Sequence, residues 1–148
     1  MTKTVFYTVL LLLLAIQVQG AESGSEALAI NLDEVQWGPP GGGGGVPVGT
    51  QTALQRVDPA TGGVTYYALF PAGTHFDRHW HTHDEFVSVM RGAVTLELGG
   101  EIHALEAGAY VVIPGGMHHS WDVPEVGEVI ILVSRAGPAD FNYPGADD

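Results

Sequence analysis

The sequence has 148 residues, of which 45% are hydrophobic and 15% charged, so it can form one domain with a buried core and is not disordered as a whole. Its 17 acidic and 5 basic residues give a formal net charge of −12, and the lack of a basic stripe argues against a nucleic-acid partner. The absence of cysteine excludes disulfides, thiolate metal ligands and cysteine nucleophiles.

The first twenty residues are typical of a secretory signal peptide. Lys3 precedes an apolar run from Val5 to Val18, and Gly20 supplies a small residue before a cleavage point at Ala21. The competing interpretation is an uncleaved membrane anchor, but a membrane span needs about 20 apolar residues and this run is shorter. Residues 1–20 are therefore predicted to be removed, which leaves a secreted or periplasmic protein without a membrane segment.

Residues 21–49 are predicted to form a flexible N-terminal arm. Five consecutive glycines, Gly41 to Gly45, have high chain entropy and no side chains to bury. A phosphate-binding loop would need a lysine and a serine or threonine after the glycines, and neither follows here in that spacing. The glycine run is therefore interpreted as a linker or mobile loop.

After the glycine run, short apolar segments alternate with turn residues, which predicts an all-β fold. Val94, Leu96 and Leu98 alternate with polar neighbours at the two-residue period of a half-buried strand. Short strands at this spacing favour a sandwich or closed barrel over residues 50–134, followed by a C-terminal tail at residues 135–148. The nine predicted strands are Thr50–Val57, Val64–Phe70, Phe76–His81, Phe86–Arg91, Val94–Leu98, Ile102–Leu105, Tyr110–Ile113, His118–Trp121 and Val129–Ser134.

Three of the seven histidines and one glutamate form a candidate metal site. His79 and His81 are two residues apart, so in a strand their side chains share one face and their Cα atoms are about 7 Å apart. A short turn after His81 can place Glu85 beside them. A third imidazole follows a Pro-Gly-Gly turn and comes from His118 or His119. Three neutral imidazoles and one carboxylate suit a divalent transition metal such as Mn, Fe, Ni, Co, Cu or Zn.

The residues around this cluster resemble the two motifs of the cupin family. The first motif is glycine, five residues, His-x-His, three or four residues, glutamate, six residues and glycine; here it is matched by Gly73, His79, His81, Glu85 and Gly92. The second is glycine, five residues, Pro-x-Gly, two residues and histidine; it is matched by Gly108, Pro114, Gly116 and His119. The asparagine that often closes the second motif is replaced by Val123, at a position that does not bind metal in the family.

The resemblance implies a small single-domain cupin, a double-stranded β-helix barrel of the jelly-roll type, which forms homodimers. It also implies His79, His81, Glu85 and His119 as the metal ligands. His118 is the competing candidate for the last position, but it is one residue out of phase and is expected to face outward.

The metal is predicted to lie in a mostly apolar cavity, a lining that suits a small organic molecule. Candidates for this lining are Val87, Val89 and Trp121. Three functions stay open: a metal-dependent enzyme (dioxygenase, decarboxylase, isomerase or lyase), a non-catalytic sensor or ligand-binding module, and a metal-storage protein. The pattern identifies no catalytic residue, and it leaves open the roles of His75, His83, His103, Arg56, Arg78, Arg91 and Arg135.

Overall fold

The computed structural model describes residues 27–145, and its regular elements lie in the unit that begins at Asn31. The described residues contain no α-helix and no helix long and apolar enough to cross a membrane. The predicted signal peptide lies outside them. A 3-10 helix at Leu32–Glu34 precedes ten strands: β1 Gly41–Gly43, β2 Val46–Val57, β3 Val64–Phe70, β4 His75–His79, β5 Glu85–Arg91, β6 Ala93–Leu98, β7 Glu101–Glu106, β8 Tyr110–Ile113, β9 His119–Asp122 and β10 Val129–Arg135.

The strands form two antiparallel sheets, which confirms the predicted all-β fold of the jelly-roll type. One sheet has six strands in the order β1-β2-β3-β10-β5-β8, and the other has four in the order β4-β9-β6-β7. In β5, Glu85, Val87 and Val89 are buried while the residues between them are less so, as the two-residue period of a strand requires. The core contains Val87 and Val89 from the first sheet and Leu96 and Trp121 from the second.

The glycine run differs from the flexible arm that the sequence predicts. Gly41–Gly43 pairs antiparallel with β2, and β2 begins at Val46 rather than at Thr50. At Gly45, where φ is +95°, a Cβ would overlap the ring of Tyr143. Hydrophobic periodicity does not detect this pairing because glycine has no side chain to carry the pattern and pairs through its backbone alone.

The C-terminal segment, residues 136–145, folds back against the strands, although the sequence identifies it only as a tail. The backbone groups of Asn142 and Trp80 exchange two hydrogen bonds of 2.9 and 3.0 Å. The carboxylate of Asp140 accepts hydrogen bonds from the backbone N–H and the hydroxyl of Thr82. These contacts bring the C-terminal segment to the end of the first sheet where Glu85 begins β5.

The motif glycines occupy backbone conformations that other residues rarely adopt. Gly73, Gly92, Gly108 and Gly116 all have φ between 68° and 97°. Gly92 is also in close contact with the chain before β10, because a Cβ there would overlap the carbonyl oxygen of Glu128. Glycine at this position is therefore required by both the backbone conformation and the packing.

Replacing Gly92 by alanine is expected to destabilise the fold more than the same change at Gly100. Gly100 has a similar φ of +91° but open space around it, so its replacement adds only the backbone strain of about 1–2 kcal/mol. Gly92→Ala adds the overlap with Glu128 and should lower the free energy of unfolding by about 3 kcal/mol or more. Urea denaturation of both variants measures the difference, and equal losses would contradict the argument.

Candidate metal centre

Three histidines meet at one end of the second sheet. His79 ends β4 and His119 begins β9, and the two are paired in register across these strands. His81 follows two residues after β4. The side chains of all three are buried, and their ligand nitrogens lie within 4.8 Å of one another. The structure thus brings together three of the predicted ligands, and the fourth, Glu85, contacts one of them.

Each imidazole donates a hydrogen bond from Nδ1 to a backbone carbonyl. The acceptors are the carbonyls of Asp77 at 2.6 Å for His79, Met117 at 3.0 Å for His119, and Asp140 at 2.7 Å for His81. A carbonyl oxygen can only accept, so the proton is on Nδ1 in all three rings. The Nε2 lone pairs of His79 and His119 are then available for a metal ion, the arrangement typical of metal-binding histidines. The Nε2 of His81 is already in contact with Glu85 Oε2 at 2.7 Å and with Arg135 Nη2 at 3.2 Å.

The Nε2 of His119 is a buried polar atom without a hydrogen-bond partner in the described part of the chain. Such atoms are rare in folded proteins because leaving them unpaired is costly. His79 is held in place by stacking on Phe76, with ring centroids 4.1 Å apart and an interplanar angle of 18°. The unpaired nitrogen and the fixed rings fit a divalent cation bound by nitrogen ligands.

The pKa values of two of these histidines are lowered. Burial, with the neighbouring His119 and His81, lowers the pKa of His79 from 6.5 to about 3, although its hydrogen bond to Asp77 opposes the shift. Burial also lowers the pKa of His119. Both rings are therefore neutral at ordinary pH, the protonation state that binds metal.

Glu85, the fourth predicted ligand, begins β5 and is buried, but its carboxylate is not part of the three-histidine group. Its Oε2 lies 2.7 Å from His81 Nε2 and forms a buried ion pair with Arg135, whose Nη2 is 3.2 Å away. Burial raises the pKa of Glu85, but His81 and the Arg135 guanidinium together lower it by more than burial raises it. The net shift of the pKa is therefore downward. Glu85 is a carboxylate at neutral pH.

His118, the competing candidate for the third imidazole, lies outside the group. It is partly exposed and stacks on Trp80, with the ring planes 3° from parallel. The other histidines are also elsewhere. His75 contacts Asp122 at 2.7 Å on the surface, and His103 is half-exposed near Glu101.

A cavity of about 240 Å³ adjoins the histidines. Trp121 lines it, whereas Val87 and Val89 lie in the hydrophobic core and are not among its lining residues. Most of its surface is apolar, with aromatic side chains from several strands. Its polar groups come from Thr50, Thr52, Tyr66, His79, His81, Glu85 and Arg135.

Two residues of this site have no signal in the sequence. Arg135 is one of four scattered arginines, and only the pairing of β10 with β5 places it opposite Glu85. Asp140 lies in the C-terminal segment, and its backbone carbonyl, not its side chain, accepts the proton of His81. A backbone acceptor carries no residue-type pattern, so sequence reasoning could not identify it.

Comparison with known families and proteins agrees with this geometry. The pattern of the Cupin domain family matches residues 66–134. The chain is 33% identical over 108 residues to the uncharacterized protein y4oW of Sinorhizobium fredii. That match covers 72% of this chain but only 45% of the relative, so the chain spans less than half of its length.

Solved structures share the fold at lower sequence identity. A cupin 2 conserved barrel domain protein from Rhodopseudomonas palustris is 21% identical, with a TM-score of 0.67 over 84% of this chain and 89% of that one. KdgF from a Halomonas species is 24% identical, with a TM-score of 0.60 over 76% of this chain and 94% of that one. At these identities the similarity extends to the fold.

Lowering the pH is expected to destabilise the metal-free protein through His79. In the unfolded chain this residue takes up a proton near its ordinary pKa of 6.5, whereas in the folded chain it stays neutral down to about pH 3. Below 6.5 the unfolded state therefore binds more protons, and the free energy of unfolding falls as the pH falls through this window. Denaturation at a series of pH values should give a shallower dependence for His79→Gln; equal slopes would contradict the expectation.

Proposed function

We propose that the domain binds a divalent transition metal through His79, His81 and His119 and holds a small organic molecule in the adjoining cavity. The match of residues 66–134 to the Cupin domain family supports this proposal. The observation that carries the proposal is the convergence of three buried imidazoles whose ligand nitrogens lie within 4.8 Å of one another, with the Nε2 of His119 left without a partner among the described residues. Imidazole ligands suit divalent Fe, Ni, Cu or Zn, and the nearby carboxylate of Glu85 extends the candidates to Mn and Co.

The residues around the histidines suit a small organic ligand. A bound divalent metal supplies a Lewis acid or an oxygen-activating centre. Phe76, Trp121 and Phe141 line the cavity with aromatic surface that excludes water and strengthens charge interactions inside it. The ionised Glu85 provides a buried proton acceptor at Oε2 beside His81. The cavity therefore combines an apolar wall with a small number of polar groups.

Replacing any one of the three histidines by alanine is expected to remove most of the metal. Losing a direct ligand should lower metal affinity by about 100-fold or more, because even the groups that only orient a ligand contribute 10–100-fold. Elemental analysis of purified protein and competition with a chelator measure the occupancy and the affinity.

His118→Ala is the matched control, because His118 is adjacent in sequence to a proposed ligand but lies outside the group. Its metal content should equal that of the unchanged protein. If His119→Ala kept its metal while His118→Ala lost it, the assignment of the third ligand would be wrong.

We also propose that the protein is exported, on the basis of Lys3, the apolar run Val5–Val18 and the small residue at Gly20. Protein recovered from the periplasm or the medium should begin near Ala21 when its mass is measured. A Leu12→Arg variant, which places a charge in the apolar run, should stay in the cytoplasm with residues 1–20 attached. Soluble cytoplasmic protein of full length from the unchanged sequence would contradict export.

A further inference from the structure

Tyr66 lies on the inner face of the six-stranded sheet. Tyr66, Ala68 and Phe70 alternate along β3, and all three line the cavity beside the histidines. On the neighbouring strand β10, Val133 pairs with Tyr66, and Arg135 follows two residues later on the same face. The register of these two strands therefore places the tyrosine and the arginine side by side on one wall of the cavity.

The hydrogen bond between these two side chains leaves the hydroxyl proton of Tyr66 unused. Arg135 Nη2 donates to the hydroxyl oxygen of Tyr66 at 3.2 Å. A guanidinium can only donate, so the tyrosine is the acceptor and its own proton needs another partner. Glu85 Oε2 does not take this proton, because that atom has no hydrogen-bond partner in the described part of the chain. The Tyr66 hydroxyl is therefore a free donor on the cavity wall.

A second free donor lies beside it. Arg135 Nε is buried and has no hydrogen-bond partner among residues 27–145, although the arginine side chain is only 2% exposed. The other guanidinium nitrogens are occupied: Nη1 donates to the carbonyl of Asp140 at 2.6 Å, and Nη2 contacts Tyr66 and Glu85. Nε and Nη2 are attached to the same carbon, so the two free donors are neighbours. Buried donors without an acceptor are costly and rare.

We propose that the hydroxyl of Tyr66, with Nε of Arg135 beside it, binds a carbonyl oxygen of the organic molecule in the cavity. Tyr66 then determines specificity, because it selects a ligand that has an accepting oxygen on an otherwise apolar skeleton. This inference rests on the cavity ligand of the proposed function and extends it by naming the recognised group and the residue that recognises it.

The chemistry of the wall fits a carbonyl group. A carbonyl oxygen has two lone pairs and no proton, so it can accept from both donors and needs no acceptor in return. Burial and the negative charge of Glu85 raise the pKa of Tyr66 to about 12, although Arg135 opposes the shift, so the hydroxyl keeps its proton at ordinary pH. The aromatic side chains of Phe76 and Trp121 line the same cavity and suit a hydrocarbon skeleton.

The two donors are close to the histidine group but do not belong to it. Arg135 Nη2 lies 3.2 Å from the Tyr66 hydroxyl and also 3.2 Å from His81 Nε2. A single guanidinium nitrogen thus separates the tyrosine from a proposed metal ligand. A carbonyl held by Tyr66 is therefore beside the metal site, and the protein rather than the metal binds its oxygen.

Cyclohexanone and methylenecyclohexane test the recognised group, because they have rings of the same shape and differ in a carbonyl oxygen against a CH₂ group. Both are small enough for a cavity of about 240 Å³. NMR titration of each probe gives its dissociation constant, with the zinc-loaded protein and with protein kept metal-free by a chelator. Cyclohexanone labelled with ¹³C at the carbonyl also reports the hydrogen bond, through a downfield shift of that carbon on binding.

Tyr66→Phe should weaken cyclohexanone binding by about three- to tenfold in both preparations, as expected for the loss of one hydrogen bond. The downfield shift of the bound carbonyl carbon should also become smaller. Binding of methylenecyclohexane should not change, because phenylalanine keeps the ring and removes only the hydroxyl. The affinity for this second probe therefore shows whether the variant keeps the shape of the cavity.

Tyr67→Phe is the matched control, since it makes the same change at the next residue of β3. Tyr67 is buried on the other face of the strand, where its ring contacts Trp37 with centroids 6.4 Å apart, and it is not among the residues that line the cavity. This variant should bind both probes as the unchanged protein does, with the same carbon shift.

The outcomes separate this inference from the function it rests on. If neither probe binds to the unchanged protein, the cavity ligand of the proposed function is wrong. If methylenecyclohexane binds and cyclohexanone does not, or if Tyr66→Phe keeps the cyclohexanone affinity and carbon shift, the assignment of the carbonyl to Tyr66 is overturned. Equal losses of both probes in Tyr66→Phe would show that Tyr66 only shapes the cavity. Cyclohexanone binding that requires zinc would assign the carbonyl to the metal instead.

Discussion

The hydrogen bonds from imidazole Nδ1 to backbone carbonyls are the interactions on which the site depends, because they fix the proton position in three adjacent buried rings. Two of them are local: His79 and His119 each donate to the carbonyl two residues earlier in the chain. The third joins His81 to Asp140, 59 residues later. The geometry of the site therefore combines two bonds set by strand ends with one that requires the whole domain to be folded.

That long-range bond makes the C-terminal segment part of the site. The segment is held by the backbone pairing of Asn142 with Trp80 and by the carboxylate of Asp140 on Thr82. It lies beyond residues 66–134, which match the family pattern, and β10 also extends to Arg135, one residue past that match. Residues outside the matched range thus contact two buried residues inside it, since Asp140 accepts the proton of His81 and Arg135 pairs with Glu85.

The sequence predicts the strands and the histidine group well because both depend on local patterns. Alternation of apolar and polar residues identifies a strand such as β6, and the phase of the second motif places His119 rather than His118 among the buried rings. The pairing of Gly41–Gly43 is not predicted, since backbone hydrogen bonds leave no trace in residue type. Val87 and Val89 point inward as predicted, but they pack in the hydrophobic core and do not line the cavity. The alternation of residues along a strand predicts which face is buried, but not whether that face meets the core or the cavity.

Glu85 shows that a motif locates a residue without determining the charges around it. The motif gives the position of the carboxylate on β5, but its net charge environment comes from β10, through the pairing that puts Arg135 opposite it. Burial alone would raise the pKa of this carboxylate, and the opposite charge of a neighbouring cation lowers it. Here the cation is covalently part of the barrel and is held by Tyr66 and Asp140 as well. The pairing of β10 with β5 thus supplies the cation that, with His81, keeps the pKa of Glu85 below its usual value despite burial.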